Sequence, residues 1–321
     1  MVDGEGRESV GILSPVSPVL ARLLRSCSFE VHERYSATEA VFDEAEIQRA
    51  QCLVVRSTLA IDRAALMRLP ALRLIVRSGS GLDNLDLEAV RDHKVVLQRL
   101  GSSKSARSVA ELAAAFTIAL LRRIPVVSAG VADGRWLKEE SLGGNLAGRT
   151  VAIWGAGEIG TAVGHLFGDL GAEVEYVRHH HDPGASRRAS LWACGIADIH
   201  VLALPLTDET RQLISDDLLL AMRPRKPILV NLGRWDVVDF HAALSALDEG
   251  LIGGLAVDPV EKRNVAQDGS VLRWRDQSGL ARNLILTPHI GAMTQEAQDA
   301  LARQAYGCIY KEFRIGQPSD A

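Results

Sequence analysis

The stretch Val151-Ala-Ile-Trp-Gly155-Ala-Gly157-Glu158-Ile159-Gly160-Thr places an apolar run directly before three spaced glycines, and an amphipathic run follows to Leu170. This order reads as strand, tight turn, helix. Gly155 permits the turn, Gly157 lets the backbone approach a pyrophosphate, and Gly160 lets helix and strand pack closely. The helix start adds unpaired N–H groups and the positive end of its dipole. A glycine-rich turn without a ligand is the bland alternative, and the flanking strand and helix argue against it. The stretch therefore predicts a dinucleotide site with Gly155, Gly157, Glu158, Ile159 and Gly160 in contact.

The following strand tests which dinucleotide. A carboxylate at its end would bond the ribose hydroxyls of NAD. Gly171-Ala-Glu-Val-Glu-Tyr-Val-Arg178 ends instead in arginine, with Glu173 and Glu175 too early and Asp182 too late. Arg178, with His179 beside it, would pair with a 2′-phosphate, so NADP(H) is preferred and NAD(H) remains possible. His179, His180 and His181 do not suggest a metal site, because adjacent strand residues face opposite ways.

Outward from this loop, apolar runs at Val151–Trp154, Glu173–Val177, Ile199–Ala203, Ile228–Asn231, Leu255–Val257 and Leu284–Leu286 read as strands. Helices fit at Ile159–Leu170, Asp216–Met222 and Phe240–Glu249. An earlier series has strands at Val10–Leu13, Phe29–Val31, Cys52–Val55, Leu74–Val76 and Val95–Leu97. Helices fit between them at Val19–Arg25, Glu44–Ala50, Arg63–Leu69 and Leu87–Arg91. One long helix from Ser108 to Val131 bridges the two series, and a last helix spans Glu296–Phe313. Such βαβ alternation predicts an α/β protein with two doubly wound parallel sheets.

The chain has 321 residues, enough for two domains, and a net charge of −4 from 36 basic and 40 acidic side chains. That balance carries no electrostatic footprint for nucleic acid or an anionic membrane. The longest apolar stretch, Leu112–Leu121, is too short to span a bilayer. Four dispersed cysteines and a polar start without signal-peptide character fit a reducing, cytoplasmic setting.

Several further blocks, in order, resemble the D-isomer-specific 2-hydroxyacid dehydrogenase family over nearly the whole chain. They are Val55-Arg56-Ser-Thr58, Val76-Arg77-Ser-Gly79-Ser80-Gly81-Leu-Asp83-Asn84, Ser108-Val-Ala-Glu111, Leu204-Pro205-Leu-Thr207, Asn231-Leu232-Gly233-Arg234 and Thr287-Pro-His289-Ile-Gly291. The resemblance implies a flavodoxin-like substrate (catalytic) domain, residues 1–106 plus 296–321. It implies a Rossmann NAD(P)-binding domain, residues 107–295, with the active site in the cleft between the two. It also implies a homodimer through the coenzyme domain, using the helix after Ser108 and the Arg135-Trp136 segment.

Reducing a 2-oxoacid requires a cation for its carboxylate, an acid for its carbonyl oxygen, and a hydride. Arg234, beyond a strand end, suits the first task, and His289 can give and take the proton. The family places a carboxylate beside that histidine, and Glu261 matches it. Backbone N–H groups around Gly79, Ser80 and Gly81, with Arg56, would hold the substrate, and Arg77 is expected near the mouth. Coenzyme contacts are implied for Leu204, Pro205, Leu232, Gly233 and Gly291. Asp258 would contact the nicotinamide, two residues beyond Ala256, where the family's aspartate is expected. The implied substrate is a small 2-oxoacid or D-2-hydroxyacid of the glyoxylate or hydroxypyruvate kind. Phosphoglycerate-, phosphonate- or phosphite-type dehydrogenation and a coenzyme-sensing corepressor-like protein are the alternatives.

Overall fold

Strands buried on both faces need mostly apolar residues, and those at the centre of each sheet have them, with Ser9, Arg77, His200 and Asn231 as buried polar exceptions. The computed structural model describes residues 7–36, 38–79, 81–82, 84–177, 183–260 and 281–315. The chain divides into two units, Met1–Ser105 with Thr294–Ala321, and Ala106–Met293.

The first unit holds strands β1 (Ser9–Ile12), β2 (Glu30–Glu33), β3 (Cys52–Val55), β4 (Leu74–Arg77) and β5 (Val96–Arg99). All pairs are parallel, in the order β2-β1-β3-β4-β5. β1, β3 and β4 are buried throughout, whereas the edge strands β2 and β5 carry exposed charges, which discourages edge-to-edge pairing. Helices α1 (Val19–Ser26), α2 (Ala45–Gln48), α3 (Arg63–Met67) and α4 (Leu87–Asp92) flank the sheet. The carboxylates of Asp62 and Asp86 accept from Ala65 N (2.8 Å) and Ala89 N (2.9 Å), capping α3 and α4. One face packs Val10, Ile12, Val54 and Val76 against Leu20, Leu24, Ala302 and Ile309. The other packs Leu53, Val55 and Ile75 against Ile47, Leu66 and Val90.

The second unit carries β6 (Thr150–Trp154), β7 (Glu173–Val177), β8 (Ile199–Leu202), β9 (Ile228–Asn231), β10 (Gly254–Val257) and β11 (Leu284–Leu286). Their order is β11-β10-β9-β8-β6-β7, again parallel. Its helices are α5 (Ala106–Leu121), α6 (Ile124–Ala132), α7 (Glu158–Asp169), α8 (Pro183–Ile196), α9 (Asp216–Met222) and α10 (Phe240–Asp248). The last helix of the chain, α11 (Gln295–Tyr310), belongs to the first unit.

The single helix expected from Ser108 to Val131 is two. α5 and α6 meet at a 63° bend, because Pro125 lies in the first turn of α6 and Arg123 takes a left-handed φ of 52° at its N-cap. Proline has no N–H for an interior helical bond and clashes with the preceding turn. Helix α8 was not expected, since its first turns are polar and, among its described side chains, only Ser190, Ala193 and Cys194 are buried. No single helix among the described residues is long and apolar enough to cross a membrane.

In each sheet the chain reverses its direction of winding once, beside β1 and β3 in the first unit and beside β6 and β8 in the second. Loops leaving the carboxyl ends of strands at such a switch point form a crevice where ligands bind in open α/β sheets.

Candidate active site

The glycine loop leaves β6 at the switch point of the second unit. Gly155 has φ +104°, and a Cβ there would lie 2.7 Å from Ala203 O. A Cβ on Gly160 would lie 1.8 Å from Gly155 O, so any side chain would push α7 off the strand. Gly157 is the opposite case. It sits at the N-cap of α7 with no side-chain cap bond, and a Cβ there would meet nothing within 4 Å. Glu158 and Gly157 are exposed, while Ile159 is half-buried against the core. The N-terminus of α7 is therefore exposed, and this cradle fits a dinucleotide pyrophosphate.

Behind the loop lies a polar pair that the sequence did not single out. Trp154 Nε1 donates to His200 Nδ1 (3.1 Å), and His200 is fully buried with no bonding partner for Nε2. Burial pushes the His200 pKa down to about 3, so the ring is neutral at physiological pH.

Loops after β8 and β9 form the next layer. Leu204 is half-buried and Pro205 exposed. Gly233 is buried, and a Cβ on it would come 2.4 Å from Leu204 O. Leu232 is 7% exposed and packs in the core, so only its backbone is available to a ligand. Asn231, fully buried, closes this loop on itself. Its Oδ1 accepts from Gly233 N (3.0 Å), and its Nδ2 donates to Arg234 O (2.8 Å). Arg234 is half-buried, and its Nη1 donates to Gly233 O (3.0 Å). Trp235, stacked on Phe240 with ring centroids 4.4 Å apart, anchors the far side.

His289 is exposed on the loop after β11 and holds φ 63°, a left-handed conformation unusual for a residue with a Cβ. Asp258 holds that loop in place. It follows β10 directly, is 3% exposed, and accepts from Thr287 Oγ1 (2.8 Å), Ile290 N (2.7 Å) and Gly291 N (2.8 Å). A Cβ on Gly291 would lie 3.0 Å from Asp258 Oδ2, so that glycine admits the carboxylate. Asp258 N donates in turn to Asn231 O (2.9 Å), which ties the Arg234 loop to the His289 loop. Ala256 is fully buried inside β10, so a side chain there cannot reach a ligand. Asp258 is the first residue free of the strand, and both its oxygens are used to hold the histidine loop.

In the first unit, Arg56 leaves β3 at the switch point. Its backbone N donates to Ser14 Oγ (3.1 Å) on the loop after β1, and burial pushes the guanidinium pKa below its ordinary value. Gly79 takes φ +135°, and Gly81 is half-buried. Arg77, expected near an open mouth, is 3% exposed instead. It ends a strand packed on both faces, so its guanidinium turns inward beneath the Gly79 turn. Ser80, Arg178, His179 and Glu261 lie outside the described residues. Among the described residues no three His, Cys, Asp or Glu side chains gather to hold a metal ion.

The family model for the NAD-binding domain of D-isomer specific 2-hydroxyacid dehydrogenases matches residues 114–291. The chain belongs to that family. Its members are NAD(P)-dependent and act on CH–OH donors. The D-3-phosphoglycerate dehydrogenase 2 of Arabidopsis thaliana is 27% identical over 266 residues, covering 80% of this chain and 41% of the relative. A glyoxylate reductase of Thermococcus litoralis is 29% identical over 270 residues, covering 80% of this chain and 78% of the relative. The chain thus spans less than half of the first and most of the second. Among solved structures, D-lactate dehydrogenase from Escherichia coli superposes with a TM-score of 0.79 at 21% identity, covering 97% of this chain and 98% of that one. An NADPH-dependent glyoxylate/hydroxypyruvate reductase from Sinorhizobium meliloti gives 0.76 at 21% identity, covering 98% and 96%. Two doubly wound parallel sheets are the fold these likenesses show.

The sequence motifs led to Arg234 and His289 but gave no holding role to the residues around them, Asp258 being assigned to the nicotinamide. Asn231 and Thr287 stood inside quoted motifs without a task. An acid directly after a buried strand, Val257-Asp258, was the available signal for the clamp.

Proposed function

We propose that this dehydrogenase reduces a small 2-oxoacid, of the glyoxylate or hydroxypyruvate kind, to the D-2-hydroxyacid with NADP(H). The observation that carries the reading is the tie from the Arg234 loop through Asn231 and Asp258 to the His289 loop. Arg234 follows β9 and His289 follows β11, the two strands that flank β10, in the sheet that bears the glycine cradle; the reading gives them the roles of cation and proton carrier. When bound, the coenzyme supplies hydride to the carbonyl carbon. Arg234 holds the substrate carboxylate and polarises the carbonyl oxygen. His289 donates a proton to that oxygen as its negative charge grows, and takes it back in the oxidative direction. Glu261 would favour the imidazolium. Backbone N–H groups of the Gly79–Gly81 turn, with Arg56, would grip the carboxylate.

NADP(H) preference rests on Arg178 and the lack of a carboxylate at that strand end. A phosphorylated substrate is the second reading, favoured by Arg56, a partly desolvated cation at the switch point of its sheet. A second copy of the chain is the proposed partner, seated on the exposed Ile124, Val131, Trp136 and Leu142. A reducing, cytoplasmic setting suits its four free thiols.

The test is a panel of 2-oxoacids, phosphorylated ones included, followed by NADPH and NADH absorbance. Turnover of glyoxylate or hydroxypyruvate with NADPH is expected. Turnover confined to phosphorylated acids selects the second reading, and none at all sinks both. His289→Ala should lower kcat by about 10²- to 10⁴-fold while coenzyme still binds.

A further inference from the structure

Strand β4 ends on a residue that its apolar register does not prepare for. Leu74, Ile75 and Val76 are fully buried, and Arg77, the fourth residue, is 3% exposed. Alternation along the strand puts it on the same face as Ile75. A guanidinium buried there needs acceptors, because an unpaired buried charge is costly. Two stand among the described residues: Nη1 donates to Ser78 O (2.9 Å), and Nε donates to Asn84 Oδ1 (3.2 Å).

Asn84 carries the connection on. Its Nδ2 donates to Arg56 O (3.0 Å) and Leu59 O (2.6 Å), and its own carbonyl accepts from Ile61 N (2.9 Å). Ser78 N donates to Val55 O (2.8 Å), closing the strand ends together. Two side chains thus cross-link the loop after β3, which bears Arg56, to the turn after β4, which bears Gly79. Gly79 is shaped by the same arginine. A Cβ there would lie 2.8 Å from Arg77 Nη1, so the glycine leaves the space that the guanidinium fills.

We infer that Arg77 and Asn84 are positioning residues that lock the Gly79 turn to the Arg56 loop and so set the affinity for the substrate's carboxylate. The inference rests on the function proposed above, in which backbone N–H groups of this turn grip that carboxylate. A turn already fixed by charge-assisted bonds presents its N–H groups without an ordering cost at binding. The carboxylate is held alike before and during the reaction, so the effect falls on KM rather than kcat.

The experiment compares Asn84→Ala and Arg77→Lys with the unaltered protein. It reads KM and kcat for glyoxylate, the NADPH dissociation constant by fluorescence, and hydrogen exchange of amides in residues 78–82. Asn84→Ala should raise KM about tenfold or more, with kcat within about threefold and NADPH affinity within about twofold. Exchange in 78–82 should quicken. Arg77→Lys, which can still donate to Ser78 O but cannot bridge to Asn84, should fall between Asn84→Ala and the unaltered protein. Unchanged exchange and KM in Asn84→Ala overturn the inference, as does a fall in kcat at constant KM. Should the unaltered protein reduce no 2-oxoacid, the proposed function fails, and the exchange comparison alone then decides whether the lock exists. Arg77→Lys keeps the test open if Asn84→Ala does not fold.

Discussion

Two glycine turns leave central strand ends, one after β6 and one after β4, and they are held in different ways. At Gly155 the space a side chain would need belongs to backbone, Ala203 O, and the next glycine, Gly157, faces open space. At Gly79 the same space belongs to the guanidinium of Arg77. The coenzyme turn is therefore fixed by main-chain packing at Gly155 and Gly160, where no Cβ fits. The other turn is fixed by a side-chain network that one substitution can loosen. The first tolerates almost no change, and the second is adjustable, as suits a loop proposed to choose among carboxylic acids.

The largest expected effect concerns what lies under the coenzyme turn. His200 has a folded pKa of about 3 against an ordinary 6.5. The unfolded chain binds its proton first, so stability is whole above about pH 6.5 and is lost as pH falls toward 3. The loss amounts to roughly 5 kcal/mol by proton linkage. His200→Leu should flatten this dependence in urea unfolding at pH 7, 5 and 4, despite leaving Trp154 Nε1 without its acceptor. An unchanged slope would show that the pair does not carry the acid sensitivity.

Next comes Gly160→Ala, where a Cβ 1.8 Å from Gly155 O must displace α7. Coenzyme binding should weaken on the order of 100-fold by fluorescence titration, because close helix–strand packing shapes the phosphate cradle. Binding within twofold of the unaltered protein would break the contrast between the two turns. Asp258→Asn should lower kcat by roughly 10- to 100-fold, since its amide cannot accept from both Ile290 N and Gly291 N and His289 loses its seat. Faster hydrogen exchange in residues 287–291 is the accompanying sign. Gly79→Ala should be the mildest. Its Cβ meets only the end of a flexible side chain, though φ +135° adds strain of about 1–3 kcal/mol. Thermal unfolding and KM both read it.

Most of the fold was legible because buried parallel strands are largely apolar, as Cys52–Val55 and Gly254–Val257 are. The edge strands of the first unit were less so. The first was expected at Phe29–Val31 and lies at Glu30–Glu33, where half-exposed residues satisfy the ladder without apolar runs. Helix α8 was missed for a similar reason, and the α5–α6 bend hung on Pro125. The glycine loop was legible because a backbone that must come close admits only glycine, and Arg234 and His289 were singled out because each proposed chemical task admits few residue types. The roles of Asn231, Asp258, Arg77 and Asn84 were not.

Sequence alone determined the class of fold and the glycine loop, and it singled out the two residues proposed to act on a 2-oxoacid. These follow from local rules: alternation of strand and helix, glycine where a backbone must come close, and side chains of the right charge. Only the tertiary structure decided what holds those residues in place. Asp258 meets Ile290 and Gly291 across 32 and 33 positions of chain, and Asn84 meets Arg56 across 28. Hydrogen bonds between loops of different strands leave no period or spacing in the sequence. They exist only once the parallel strands have brought their carboxyl ends side by side.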